Sequence, residues 1–256
     1  MDPLNVAGLF VFGLLVGSFL NVCIYRIPRR ESLAWPASHC TSCNRALAWY
    51  ENVPVASWAL LRGRCRTCRV PIAIMYPLVE LTTAVLFAGG YAVYGWTPLL
   101  AVRLLFACAM IVLFVIDLQH RILPNVITLP GIVLGLVFSA VLPVPGWLPA
   151  TIGAVVGGGA LFVIAEAYYR IRGVEGLGMG DVKMLAMIGA FLGWQLTLVT
   201  LMLASFSGSV IGVGLMAFGK RGMQAALPFG TFLAVGALVA AVYGDALLAW
   251  YISFYS

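Results

Sequence analysis

Charge is what this chain has least of: 9% of its 256 residues are charged and 62% are hydrophobic, with a mean hydropathy of +1.03. A soluble domain carries roughly 25% charged residues, so a water-soluble globule is excluded and a membrane protein is expected. Between residues 184 and 218 there is neither a charge nor a proline. That stretch is too long for one crossing and about right for two. The first apolar run has no basic residue ahead of it and no small-residue cleavage site behind it, since Arg26, Arg29 and Arg30 follow it. It therefore reads as a retained helix and not as a secretory signal. An internal repeat and a low-complexity tract are also missing, as is the Gly-rich strand-turn-helix pattern that binds nucleotides in the Rossmann manner.

What is present is a series of apolar runs at 4–25, 77–95, 98–116, 123–142, 147–169, 182–198, 199–218 and 227–254. A crossing takes about 20 apolar residues, which predicts an all-α polytopic membrane protein with about eight transmembrane helices. The interruption at 26–76 is polar and cysteine-rich. The expected organisation is a first helix at 1–25, a small soluble insertion at 26–76 and a membrane core at 77–256.

Basic residues set the expected orientation, because Lys and Arg accumulate in cytoplasmic loops. Eight arginines from Arg26 to Arg69 lie between the first and second runs. Arg121 follows the third, Arg170, Arg172 and Lys183 flank the connection after the fifth, and Lys220 and Arg221 follow the seventh. These are alternate loops on one face. Of the 15 basic residues only Arg103 lies elsewhere. The insertion is thus expected in the cytoplasm, and the net charge of +6 is accounted for by a basic face near anionic lipid, with no nucleic-acid partner.

Four of the six cysteines lie in the insertion as Cys40-Thr41-Ser42-Cys43 and Cys65-Arg66-Thr67-Cys68. Two such pairs about 21 residues apart have the spacing of a four-cysteine zinc site. A reducing cytoplasm argues against two disulfides in their place. A site closed by four thiolates has no open position for chemistry, so its zinc is expected to be structural. Cys23 and Cys108 lie in apolar runs and read as small buried hydrophobes.

Two aspartates stand at span ends on the expected cytoplasmic side. Asp117 closes the third run ahead of Leu123-Pro124-Asn125, and Asp181 opens the sixth within Gly178-Met179-Gly180-Asp181-Val182-Lys183. Hydrolysis without a metal or a nucleophilic side chain needs one carboxylate to take a proton from water and a second, protonated, to polarise the carbonyl. Neighbouring aspartates supply both forms, because like charges at close range do not ionise together. Taken singly, each has a plainer reading: Asp181 complements a helix dipole and Asp117 marks a membrane edge.

Read together, these residues resemble the type IV prepilin peptidase family over nearly the whole chain. The features that carry the resemblance occur in order. They are Gly17-Ser18-Phe19-Leu20-Asn21-Val22-Cys23-Ile24-Tyr25-Arg26-Ile27-Pro28, the cysteine pairs with Glu51-Asn52-Val53-Pro54 and Arg62-Gly63-Arg64-Cys65, and Tyr76-Pro77-Leu78-Val79-Glu80. Asp117 with its Leu-Pro-Asn, Gly178 to Asp181, and Pro228-Phe229-Gly230 complete the set. Met75 departs from the arginine the family often has before Tyr-Pro.

The resemblance implies a bacterial inner (cytoplasmic) membrane enzyme acting on prepilins of type IV pili or pseudopilins of type II secretion. It would be an aspartic endopeptidase that removes the leader at the cytoplasmic face, with Asp117 and Asp181 catalytic. Members with the cysteine insertion also N-methylate the new N-terminal residue from S-adenosylmethionine. No residue pattern locates the methyl-donor site; Glu51, Tyr76 and Glu80 are the candidates. The competing classes are a transporter, whose acids sit near the bilayer midplane at repeat-related broken helices, and a zinc-dependent membrane scaffold.

Overall fold

Apolar side chains in bilayer-length runs leave the backbone no partner but itself, and such runs close as helices. The computed structural model describes residues 2–173, 178–217 and 228–254, and among these the regular structure is helical apart from two isolated antiparallel bridges. The helices are α1 (Pro3–Arg26), α2 (Ala56–Leu60), α3 (Met75–Tyr94), α4 (Pro98–His120), α5 (Asn125–Val141), α6 (Trp147–Arg172), α7 (Met179–Ala217) and α8 (Phe229–Ile252), with a short 3-10 turn at Trp49–Asn52. Six of them, α1, α3, α4, α6, α7 and α8, are long and apolar enough to cross a membrane, and α5 is a shorter apolar helix. This is a multi-pass membrane protein. Lys220 and Arg221 lie outside the described residues.

The long apolar stretch after Lys183 is one 39-residue element, α7, broken at Gly193 (φ 79°, ψ 169°). A straight helix of that length would run about 58 Å at 1.5 Å per residue, roughly twice the hydrocarbon thickness. Gly193 divides it into two unequal segments, and the whole element is one of the six candidate spans where the composition predicts two crossings of similar length. The break falls at Gly193 and not between residues 198 and 199, because only glycine holds this backbone conformation without strain.

Two compact units divide the chain, Met1–Val112 and Leu113–Ser256, with the boundary inside α4. In the first unit α1 packs on α3. The approach is set by Gly13 and Gly17, four residues apart on one face of α1. A methyl group added at Gly13 would lie 2.6 Å from Ala84 Cα, and one at Gly17 would lie 2.6 Å from Glu80 Cα. Small residues at this spacing let helix backbones meet in lipid, where no hydrophobic force draws helices together. Phe12, Leu15 and Phe19 stay exposed on α1, as suits a surface bathed in lipid.

In the second unit α7 is the central helix and is packed by α5, α6 and α8. Its Met184, Leu185, Met187 and Ile188 are fully buried. The same device recurs twice: Gly131 and Gly135 of α5 face Met187 and Ala190, and Gly153 and Gly157 of α6 face the Gly189–Gly193 turn and Leu185. Of the Gly158-Gly159 pair, Gly158 lies against Ala186 while Gly159 faces open space. Where α7 breaks, its polar backbone is met from neighbouring side chains. Ser139 Oγ of α5 donates to the Ala190 carbonyl at 2.9 Å, and Thr197 Oγ1 donates to the Gly193 carbonyl at 2.7 Å.

Candidate active site and metal site

Asp117 lies in the last turn of α4, which ends when Arg121 turns to positive φ (55°) with its N–H on the Asp117 carbonyl at 2.8 Å. Asp117 is only 5% exposed. Its Oδ2 accepts two hydrogen bonds from one residue, the Thr231 N–H at 2.7 Å and the Thr231 hydroxyl at 3.0 Å. Thr231 is in the first turn of α8, whose N-cap is Pro228 and offers no side-chain cap. The first N–H groups of a helix have no partner within it. Here a carboxylate from 114 residues away supplies one.

Asp181 occupies the corresponding place on its own helix. It is in the first turn of α7, half-buried, with its N–H on the Gly178 carbonyl at 3.0 Å. Both carboxylates thus sit at helix N-termini, where the dipole favours an anion.

Leu123, in the link from α4 to α5, lies against the glycines beside both. A methyl group on Gly180 would lie 2.9 Å from Leu123 Cβ, and one on Gly230 would lie 2.9 Å from Leu123 Cδ1 and 3.0 Å from Asp117 Oδ2. Lys183 Nζ donates to Asn125 Oδ1 at 3.0 Å and ties the start of α7 to the start of α5. The Leu-Pro-Asn, Gly-x-Gly-Asp and Pro-Phe-Gly segments therefore meet around the two carboxylates. His120 is exposed, and Glu166 pairs with Arg170 at 2.8 Å.

In the insertion, the Sγ atoms of Cys40, Cys43, Cys65 and Cys68 all lie within 4.8 Å of one another. Each pair forms the same turn. The Asn44 N–H reaches the Cys40 carbonyl and the Cys40 N–H the Arg45 carbonyl, both at 2.9 Å. The Arg69 N–H reaches the Cys65 carbonyl at 3.1 Å and the Cys65 N–H the Val70 carbonyl at 2.9 Å. Asn44 and Arg69 both take positive φ, 55° and 59°, and each turn is flanked by a bridge, His39 to Ala46 and Arg64 to Pro71.

Backbone N–H groups within the turns aim at the sulfurs. Those of Cys43 and Ser42 hold the Cys40 thiol below its ordinary range, and those of Cys68 and Thr67 bring Cys65 down to about 6. The donor set fits a tetrahedral ion: Zn–S bonds of about 2.3 Å put the sulfurs about 3.8 Å apart, and Cys40 and Cys68 Sγ stand 3.7 Å apart.

The three methyl-donor candidates are all engaged locally. Glu51 makes a bidentate pair with Arg45 at 2.6 and 2.9 Å and accepts the Ala48 N–H at 2.9 Å. The Tyr76 carbonyl accepts from Asn21 Nδ2 at 3.0 Å. Glu80, 8% exposed, accepts the Val55 N–H at 2.7 Å. Val55 is a β-branched residue at φ 59°, ψ −49°, the centre of a γ-turn closed by Ala56 N–H to the Pro54 carbonyl at 2.5 Å. This is a strained conformation, and a buried carboxylate holds it.

Thr231 is the site residue that the motifs do not single out. It stands next to the Pro-Phe-Gly element, but its role is a contact 114 residues away in sequence, which no local pattern encodes.

These features lie in a chain of membrane helices that two family models cover. Residues 11–94 match the bacterial peptidase A24 N-terminal domain, and residues 104–213 match the type IV leader peptidase family. Relatives named prepilin leader peptidase/N-methyltransferase include those of Myxococcus xanthus, 43% identical over 86% of this chain, Pseudomonas putida, 38% over 93%, and Aeromonas hydrophila, 36% over 95%. The chain spans 66% of the Myxococcus protein's length, 91% of the Pseudomonas one and 92% of the Aeromonas one. This chain belongs to the type IV leader peptidase family. No solved structure matches it.

Proposed function

We propose that this protein removes the leader peptide from type IV prepilins or pseudopilins at the cytoplasmic membrane face, with Asp117 and Asp181 as catalytic pair, and N-methylates the exposed residue. The observation that carries the reading is that Leu123 lies against both Gly180, beside Asp181, and Gly230, beside the Asp117 carboxylate, so that the three motif segments adjoin. One carboxylate takes a proton from water as the water oxygen bonds to the scissile carbonyl carbon. The other, protonated, gives its proton to the carbonyl oxygen. Collapse of the tetrahedral intermediate breaks the C–N bond, and the leaving amine takes up a proton, so that leader acid and pilin amine result.

Alternate-loop arginines support a cytoplasmic active site and zinc insertion in the inner membrane. The organisation into a first helix, an insertion at 26–76 and a protease core at 77–256 belongs to the same proposal. Cys40, Cys43, Cys65 and Cys68 would hold one zinc that orders the insertion. S-adenosylmethionine would supply the methyl group, with Glu51, Tyr76 and Glu80 as the candidate region for it.

Asp117→Asn and Asp181→Asn each test the pair, since an amide is nearly isosteric and cannot exchange the proton. Each variant should insert normally, lose cleavage of a purified prepilin by orders of magnitude, and still methylate a precut pilin. Appreciable cleavage by either variant removes that residue from the catalytic role.

A further inference from the structure

We infer that Thr231 is a positioning residue for Asp117 that dictates which carboxylate oxygen does the proton transfer; this rests on Asp117 being one of the two catalytic carboxylates. An sp² carboxylate oxygen has two lone pairs. On Oδ2 both are taken, by the Thr231 N–H at 2.7 Å and the Thr231 hydroxyl at 3.0 Å, in a site where Asp117 is 5% and Thr231 8% exposed. The backbone donor cannot reverse its role, so Oδ2 stays an acceptor. Proton exchange with water or substrate then falls to Oδ1.

Two donors from one residue, one along the backbone and one along the side chain, also fix the plane of the carboxylate. Gly230 leaves room for the carboxylate in this orientation, since a methyl group added there would lie 3.0 Å from Oδ2. The α8 N-terminus has no side-chain cap of its own at Pro228, and the arrangement could serve only to fasten α4 to α8. Orientation and fastening make different predictions.

Thr231→Val keeps the side-chain shape and the backbone N–H and loses one hydrogen bond to a charged group. The expected result is a fall in kcat for prepilin cleavage of about 10- to 100-fold, the range for such a bond, with KM unchanged. Thr231→Ser should restore kcat to within about threefold. Methylation of a precut pilin should equal wild type in both variants, which reports an intact fold. Cleavage by Thr231→Val at the wild-type rate overturns the inference, as does a rise in KM at constant kcat, failure of serine to rescue, or parallel loss of cleavage and methylation. Asp117→Asn is run alongside: if it still cleaves, the reading of Asp117 has failed, and not the role of Thr231 alone.

Discussion

Gly230 and Leu123 touch so closely that a methyl group on the glycine would come within 2.9 Å of Leu123 Cδ1 while meeting Asp117 Oδ2 at 3.0 Å. Leu123 has little room to yield, since its Cβ is already against Gly180. Gly230→Ala should therefore displace Leu123 and the Asp117 carboxylate together. Overpacking of this kind costs about 1–3 kcal/mol, and a misplaced catalytic group about 10²-fold in rate. Prepilin cleavage by the purified variant should fall by more than tenfold while its helix content by circular dichroism stays unchanged. Wild-type turnover would show that the contact does not constrain the site.

The break in α7 predicts a stability effect remote from the carboxylates. Gly193 has φ 79° and ψ 169°, and Ser139 donates to the Ala190 carbonyl one turn earlier. Gly193→Ala should cost about 1–3 kcal/mol in backbone strain. Ser139→Ala should leave a buried carbonyl short of a partner, at about 1–3 kcal/mol. Thermal unfolding in detergent checks both, and an unchanged Tm in either would mean the break is held by something else.

Much of this was legible in the residues alone, and the physics says why. Spans are written in composition, because burial in lipid acts on each side chain separately. The four-cysteine cluster is written in spacing, because two ligands for one ion come from one tight turn, and Cys40 to Cys43 and Cys65 to Cys68 are such turns. Asp117 and Asp181 stood out through their flanking motifs. The break at Gly193 did not, because the chain has 28 glycines and only the fold selects the one that takes positive φ. Thr231 was invisible for a related reason: its role exists only once α8 meets the end of α4. Glu80 is a methyl-donor candidate on its motif alone, and the structure shows it holding the Val55 γ-turn, a backbone contact that no side-chain pattern announces.

Inside the insertion, Arg45 hydrogen-bonds Glu51 and, with the Ala48 N–H, holds its carboxyl below the ordinary carboxylate range. A depressed acid contributes stability that is present above its unfolded pKa, about 4.3, and is lost as pH falls through the lower folded value. The wild-type insertion should therefore hold its structure down to a lower pH than one without the pair. Glu51→Gln should remove that part of the acid dependence and lower stability at neutral pH. Acid titration of fluorescence from the neighbouring Trp49 checks this, and superimposable curves would show that the pair contributes nothing.

Zinc removal should separate the two activities. A four-thiolate site orders a surface but has no open position from which to activate water, so cleavage should depend on the carboxylates and methylation on the insertion. The leader is expected to be basic and so are the loops that face it, which means that charge attraction cannot be the main source of substrate recognition. The apolar helix of the pilin, packed against spans of the enzyme, is the better source, and it does not need the insertion. The wild type should carry about one zinc per chain, and Cys40→Ser with Cys43→Ser should carry none. That double variant should lose methylation of a precut pilin by at least tenfold more than it loses cleavage of a prepilin. Metal analysis and mass spectrometry of both products, read on the same preparation, decide it. Equal zinc in both proteins would refute the four-cysteine site. Equal loss of the two activities would show that the insertion is needed for the catalytic core as a whole and that the division of labour is wrong.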